Sequence, residues 1–371
     1  MLSVIRSEAA FIVTVVSTAV LYSIGDSWFH EPSNLLIFAG LFIWIFGVMA
    51  WSAFAAVRHA DCLAELLGEP YGTLILTISV ISIEVSVISA VMLAGGSGPT
   101  LARDTMLAVL MIVLNGMVGV SLVIGGIRYR EQDYNLPGAR AFLAVLITLA
   151  TVALILPRFT ISTADASLTA RQSVLISLAT IVLYGTFLAI QTVRHSGFFT
   201  EAKIDGTSVP EHGKHPESLQ PRSVPYHAMF LPLTLIPIVL LSKKLAVLVD
   251  EGILALNAPL AIGGILIALL VLAPEGLAAF RAAALNHLQR AVNICLGSAL
   301  ATICLTVPAI STIGLLTDTH VVLGLDPAEM VMLVLTLALS VMTFGGTRTS
   351  VLQGAVHLVV FFIYLILIFD P

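Results

Sequence analysis

Residues 70–102 read PYGTLILTISVISIEVSVISAVMLAGGSGPTLA, a stretch of 33 residues in which Glu84 is the only charged side chain. Residues 252–280 read GILALNAPLAIGGILIALLVLAPEGLAAF, 29 residues in which Glu275 is the only charge. Each stretch exceeds the about 20 residues that an α-helix needs to cross a bilayer. A carboxylate at the centre of such a helix costs about 2.5 kcal/mol or more, so an acid there indicates a functional site. Two acids at comparable places predict one shared cation site.

The composition is that of a membrane protein along the whole chain. Of its 371 residues, 58% are hydrophobic and 11% are charged, and the mean hydropathy is +1.04. Charged residues make up about a quarter of a soluble protein. Nine further runs carry no charge: 9–25, 32–57, 105–127, 141–157, 172–193, 223–242, 291–317, 330–347 and 349–369. With the two acidic segments they predict eleven helices, because lipid offers no partner for open backbone groups.

The expected fold class is therefore an all-α polytopic membrane protein with the lipid bilayer as its surroundings. The net charge of −5 comes without a basic patch that would indicate nucleic acid as a partner. The run 9–25 follows Arg6, as in a signal peptide, but Glu8 lies beside it and no small-residue cleavage pattern follows it. We therefore expect this run to be a retained first helix.

The distribution of positive charge predicts the orientation. With eleven helices, 12 of the 17 Lys and Arg residues fall on the side of the N-terminus. The positive-inside rule makes that side cytoplasmic and places the C-terminus outside.

The one long polar segment, 194–226, divides the chain. We expect an N-terminal helix in 1–33, a five-helix repeat with Glu84 in 34–193, a cytoplasmic linker in 194–226 and a second five-helix repeat with Glu275 in 227–371. Five helices per half is an odd number, so the halves insert in opposite orientations, as in inverted-repeat transporters. Four histidines in or beside the linker are expected to be solvated, namely His195, His212, His215 and His227.

Two facing carboxylates supply hard oxygen ligands of total charge −2, which suits Ca²⁺. Two like charges in a dry place also favour protons when the metal leaves. Ser79 and Ser82 lie near Glu84 in sequence and could point their hydroxyls to the same cavity. Pro274 and Gly276 flank Glu275, and this combination is one way in which transport helices are broken to expose carbonyl groups. The purely structural alternatives are that the hydroxyls bond to their own helix and that the proline only produces a kink.

Other polar residues in the apolar segments have simpler interpretations. Arg103 and Asp104, at the start of the fourth helix, predict a surface ion pair. His357, in the last helix, is expected to be a packing residue rather than a proton relay. Cys295 and Cys304 lie about 13 Å apart along one helix, too far for a disulfide. We expect no resident cofactor, only transported Ca²⁺, or Na⁺ and K⁺, and protons.

The segments 68–72 with 83–86, and 273–276 with 286–293 and 297–302, resemble the two α-repeats of ChaA-type antiporters. These belong to the calcium/proton exchanger branch of the cation/Ca²⁺ exchanger superfamily. The resemblance implies ten core helices plus an N-terminal one, a bacterial inner-membrane location and proton-driven export of Ca²⁺. It implies that Glu84 and Glu275 bind the cation, and that Asn115 and Ser298 occupy the small polar positions that follow in each repeat.

The chain departs from the stricter Gly-Asn-Ala-x-Glu form of each repeat, since residues 81–83 and 272–274 carry no amide side chain. A Na⁺/H⁺ or K⁺/H⁺ antiporter with the same site therefore stays open, as does a channel. A remote alternative is an intramembrane serine protease, because residues 95–98 read GGSG and His357 could act as the base. Four-residue matches of this kind are weak evidence.

Overall fold

The computed structural model describes residues 7–24, 35–68, 71–94, 99–163, 165–200, 222–259, 261–317 and 319–370. Within them lie eleven helices: α1 Ala9–Ile24, α2 Leu35–Leu67, α3 Tyr71–Ala94, α4 Leu101–Tyr129, α5 Leu136–Phe159, α6 Ala170–Arg194, α7 Val224–Leu256, α8 Ala261–Ala284, α9 Leu288–Thr317, α10 Pro327–Thr343 and α11 Val351–Phe369. The expected all-α membrane fold is confirmed. The linker residues 201–221, with His212 and His215, and the GGSG segment lie outside the described residues.

Eight of the described helices are long and apolar enough to cross a membrane, and α1, α10 and the described core of α3 are shorter apolar helices. Large apolar side chains cover the outside of the bundle, as Ile43, Leu178 and Phe362 illustrate. In water such a surface would be an aggregation hazard, but in lipid it is the expected exterior. The structure is therefore that of a multi-pass membrane protein.

The two acidic helices, α3 and α8, lie inside the bundle. Both pack against α9 and against α2, and α8 also packs along α4. Gly264 permits the close contact of α8 with α4, since a Cβ there would lie 2.9 Å from the backbone nitrogen of Thr105. α4 is the most enclosed of the eight spanning helices, since 83% of the residues in its apolar 18-residue segment are buried. This packing places Glu84 and Glu275 in the interior rather than against lipid.

A two-stranded antiparallel sheet, which the sequence did not predict, joins β1 (Glu131–Asp133) to β2 (Arg348–Ser350). β1 follows α4 and β2 precedes α11. Arg348 donates from Nε to Asp133 over 2.9 Å across the two strands. α4 and α11 also pack closely against each other. A Cβ on Gly354 of α11 would lie only 2.8 Å from the carbonyl oxygen of Gly119 in α4.

Two expectations about polar residues need correction. Arg103 and Asp104 do pair, with Nε of Arg103 2.8 Å from Oδ1 of Asp104. Both side chains are buried rather than at the surface, and Arg103 also donates to the carbonyl oxygen of Gly324. His227 is not in a solvated loop: it is buried in the first turn of α7. His195 is exposed as expected, and the three cysteines are free and buried.

Candidate cation and proton site

Glu84 lies near the middle of α3 and is 2% exposed. Its Oε2 accepts a hydrogen bond of 2.7 Å from the hydroxyl of Thr302, and its Oε1 accepts a longer one of 3.4 Å from Thr306. Both threonines belong to α9 and are fully buried. A buried carboxyl group thus has a hydroxyl on each oxygen, which offsets part of the cost of taking it out of water.

Glu275 lies on α8 and is half-buried. Its Oε2 accepts a hydrogen bond of 2.5 Å from the hydroxyl of Ser298, which also belongs to α9. Neither Glu275 nor Glu84 has a salt bridge within the described part of the chain. Both predicted acids thus accept a hydroxyl group from α9, and neither has a basic residue to neutralise it within the described residues.

A single face of α9 serves both acids. Ser298, Thr302 and Thr306 follow one another at intervals of four residues, which is about 6 Å of helix rise per step and nearly the same direction. Sequence reasoning identified Ser298 but missed Thr302 and Thr306 as site residues. Their four-residue spacing in an apolar helix is the signal that could have found them.

The structure also locates the other residues predicted to support the two acids. Ser79 is buried, and Ser82 is half-buried on the next turn of α3. α8 continues from Ala261 to Ala284 through Pro274 and Gly276, so the expected break in the helix is not present. Pro274 still lacks the N–H that would bond the carbonyl of Leu270, so this carbonyl is released from the helical ladder. Gly276 faces Met117 of α4, whose Cγ would lie 3.7 Å from an added Cβ.

The hydrogen bonds of Asn115 join it to helices other than those that carry the two acids. It lies in a π-helical turn of α4, Ile112–Met117, and donates from Nδ2 to the hydroxyl of Thr336 over 2.8 Å. Its Oδ1 lies 3.1 Å from Nδ1 of His357, whose Nε2 lies 2.9 Å from the hydroxyl of Thr343. Both ring nitrogens of His357 thus have partners, as the packing interpretation expected. Within the described residues, Asn115 connects α4 to α10 and α11 and does not bond either glutamate.

The geometry defines a membrane protein whose interior carries an acidic pair lined by hydroxyl groups, a class that contains the ion exchangers. The profile of the sodium/calcium exchanger protein family matches residues 37–193 and 227–369, so the chain belongs to that family. It is 40% identical over 366 residues to the sodium-potassium/proton antiporter ChaA of Escherichia coli K12, covering 98% of this chain and 97% of that protein.

A second relative, the Ca²⁺/H⁺ antiporter ChaA of Bacillus subtilis 168, is 25% identical over 353 residues, with 94% of this chain and 96% of the relative covered. Among solved structures, that of the Ca²⁺/H⁺ antiporter YfkE superposes with a TM-score of 0.70 at 20% identity and covers both chains fully. The protein is a secondary antiporter of the cation/Ca²⁺ exchanger family rather than an enzyme.

Proposed function

We propose that this protein exchanges a cation for protons by alternating access at Glu84 and Glu275, with Ca²⁺ as the first candidate cation. The observation that carries the proposal is that one face of α9 binds both carboxylates, through Ser298 and Thr302. A cation held between the two acids would meet carboxylate and hydroxyl oxygens together. Such hard ligands suit Ca²⁺, which takes about six to eight oxygens.

The hydroxyl groups can serve both states of the exchange. A Ser or Thr hydroxyl has one hydrogen to donate and two lone pairs. In the geometry described, Ser298 and Thr302 donate to the carboxylates. When a cation occupies the site, the same oxygens can turn their lone pairs toward it.

Charge balance then couples the two movements. Two carboxylates without a nearby base are costly to carry across the membrane in the ionised form. One divalent cation or two protons neutralise the same pair. The conformational change that switches the site from one side of the membrane to the other is therefore favourable with either the cation or the protons bound. It is unfavourable with the site empty, and this difference is the condition for exchange.

A second candidate is exchange of Na⁺ or K⁺ for protons at the same site. Two observations favour it: the E. coli relative is named for sodium and potassium, and the hydrogen bonds found at the acids come from hydroxyl groups and not from amides. Monovalent ions need less ligand charge than Ca²⁺. Of the alternatives, we retain Ca²⁺ as the first candidate because of the paired carboxylates.

We also propose a bacterial inner-membrane location with the N-terminus in the cytoplasm and the C-terminus outside. The asymmetry of Lys and Arg residues supports this orientation. The inverted relation of 34–193 and 227–371 is supported by the equivalent positions of α3 and α8 as the second helix of each half.

The test uses inside-out vesicles that contain the full chain and carry a proton gradient, followed with a pH-sensitive dye. Ca²⁺, Na⁺ and K⁺ are added separately. We expect Ca²⁺ to dissipate the gradient in the wild type, and neither Glu84→Gln nor Glu275→Gln to respond. Glu65→Gln is the matched control, because Glu65 is an exposed acid of α2 outside the site. A response mainly to Na⁺ or K⁺ would favour the second candidate, and no response to any of the three would overturn exchange.

A further inference from the structure

A second group of titratable side chains, which includes neither acid of the pair, lies at the starts of α1 and α7 and in the part of α2 that contacts them. We call it the linker-end cluster; it consists of Glu8, Arg58, His59, Tyr226 and His227. Glu8 immediately precedes α1, Arg58 and His59 lie in α2, and Tyr226 and His227 begin α7. Glu8, His59 and His227 are all buried. The proposed transport cycle makes no use of any of them.

The hydrogen bonds of the cluster form one chain. The backbone N–H of Arg222 donates to Nε2 of His227 over 3.1 Å. Nδ1 of His227 lies 2.9 Å from Nδ1 of His59, and Nε2 of His59 lies 3.0 Å from Oε2 of Glu8. Three contacts thus link the start of α7, through α2, to the start of α1.

These contacts fix where the protons are. Because His227 Nε2 accepts from a backbone N–H, its ring proton is on Nδ1, which donates to His59. His59 Nδ1 is then an acceptor, and its own proton is on Nε2, where it donates to Glu8. One arrangement with two neutral imidazoles therefore satisfies every bond in the chain.

An additional proton has no place in this arrangement. On His59 Nδ1 it would face the N–H of His227, and on His227 Nε2 it would face the N–H of Arg222. The first position breaks the bond that joins α2 to the start of α7, and the second breaks the local bond from Arg222 that keeps the Nδ1 proton of His227 directed at His59. A buried polar group that loses its partner costs about 1–3 kcal/mol.

The charges around the pair come from all three helices. Glu8 accepts from Tyr226 over 2.7 Å and from Arg58 over 3.0 Å, and Arg222 donates to the Tyr226 hydroxyl over 2.8 Å. Nη2 of Arg58 also lies 3.4 Å from Nε2 of His59. Burial by itself would raise the pKa of Glu8, but the Tyr226 hydrogen bond and the charge of Arg58 outweigh it and lower the pKa. Glu8 thus stabilises the cluster above its unfolded pKa, and this contribution is lost as the pH falls through the lower folded pKa.

We propose that the His59–His227 pair is a proton-binding site separate from Glu84 and Glu275, and that a proton taken up there releases the linker-side end of α7 from α2. Two neutral imidazoles hold the contact at higher pH. Protonation from the linker side breaks it. The acidic pair would carry the exchanged protons, whereas this pair would sense their concentration on one side.

The cluster is placed where its release can affect transport. α2 and α7 pack against each other over much of their length, both pack against α3, and α2 also packs against α8. A change at the shared end of α2 and α7 therefore reaches both acid-bearing helices through direct contacts. Phe230 of α7, which stacks on His59 with ring centroids 5.7 Å apart, extends the contact one turn deeper.

The test measures hydrogen–deuterium exchange of residues 55–62 and 222–230 in the full-length protein in proteoliposomes, expressed as protection factors so that intrinsic exchange is removed. An unperturbed histidine titrates between about pH 5 and 8, and the measurements extend below pH 5 because both rings are buried. We expect protection to fall about 10-fold on acidification in the wild type, the equivalent of one buried hydrogen bond. His59→Gln and His227→Gln should each make protection independent of pH.

Two controls separate the imidazoles from general loosening. Tyr226→Phe removes the hydroxyl bond to Glu8 but keeps both rings, so protection should fall at every pH while its pH dependence remains. His195→Gln, at an exposed position, should behave as the wild type. The same experiment in Glu84→Gln, Glu275→Gln protein keeps the pH dependence if the cluster is a separate site, whatever the outcome for exchange. Flat protection in the wild type, or unchanged pH dependence in both histidine variants, would overturn the proposal.

Discussion

Glu84 and Glu275 occupy equivalent positions in the two halves of the sequence, yet their surroundings differ. Glu84 is fully buried and accepts hydroxyl groups on both oxygens, in a helix without proline. Glu275 is half-buried, accepts one hydroxyl group and lies between Pro274 and Gly276. If both acids bind the cation as proposed, we expect Glu84 to tolerate change less than Glu275, because its surroundings are more enclosed.

The largest difference between the two acids is expected when each is shortened by one methylene group. In Glu84→Asp the carboxylate withdraws from two threonines that cannot follow it in a close-packed interior, and a misplacement of about 1 Å can cost about 100-fold. In Glu275→Asp, water and the single serine can adapt, so we expect a loss of about 10-fold. Initial rates of cation-driven proton movement in vesicles measure both. Equal losses would show that the two sides are equivalent.

Removing the hydroxyl partner of each glutamate while keeping a side chain of similar shape compares the two acids more closely. Thr302→Val leaves Oε2 of buried Glu84 without its donor, at about 1–3 kcal/mol, so the apparent cation affinity should fall about 10-fold. Ser298→Ala should cost about 3-fold, because water can replace the lost partner of half-buried Glu275. The concentration dependence of the dye response gives both affinities. A larger effect of Ser298→Ala would show that Glu275, and not Glu84, depends more on its hydroxyl partner.

A smaller effect is expected one turn further along α9. The hydrogen bond from Thr306 to Glu84 is 3.4 Å long, beyond the usual range for hydroxyl donors. Thr306→Val should therefore reduce affinity by only about 2-fold, well below the loss of a full hydrogen bond. Combining it with Thr302→Val in a double-mutant cycle measures whether the two hydroxyls act together. A loss as large as that of Thr302→Val would contradict the expectation that the longer hydrogen bond from Thr306 is the weaker of the two.

The smallest effect is expected at Gly276→Ala. An added Cβ would be in ordinary contact with Met117, and alanine favours a continuous helix by about 1 kcal/mol over glycine. Transport should stay within about 2-fold of the wild type, and the Tm should rise slightly, as thermal unfolding in detergent can measure. If transport is lost while the protein is folded, α8 needs the flexibility that the sequence suggested at this position.

Much of the fold followed from the sequence, because lipid imposes a strict rule. Eleven charge-poor runs correspond to eleven helices in the described residues, although α2 and α7 continue to Leu67 and Leu256, well past the ends of the runs 32–57 and 223–242. Glu84 and Glu275 could be singled out because a lone acid in an apolar run has few explanations. The relation of the halves remains a prediction.

The remaining features depend on which helices become neighbours. Thr302 and Thr306 are ordinary residues in sequence, and they reach Glu84 only because α9 packs against α3. Asn115 was identified from its residue type and the family resemblance, but its hydrogen bond to Thr336 of α10 could not be predicted from the sequence. His227 was assigned to a solvated loop because the helical start of α7 lay within a polar segment. The spacing of Thr302 and Thr306 marks a polar face of α9, but no local pattern says which helix that face will contact.

The small sheet between β1 and β2 places a mechanical limit on how this antiporter can move. β1 extends α4 of the first half, β2 leads into α11 of the second half, and Gly119 and Gly354 bring these two helices into backbone contact. α4 and α11, which lie far apart in the sequence, are thus joined both by strand pairing and by close helix packing. We therefore expect these two helices to move as one unit during transport.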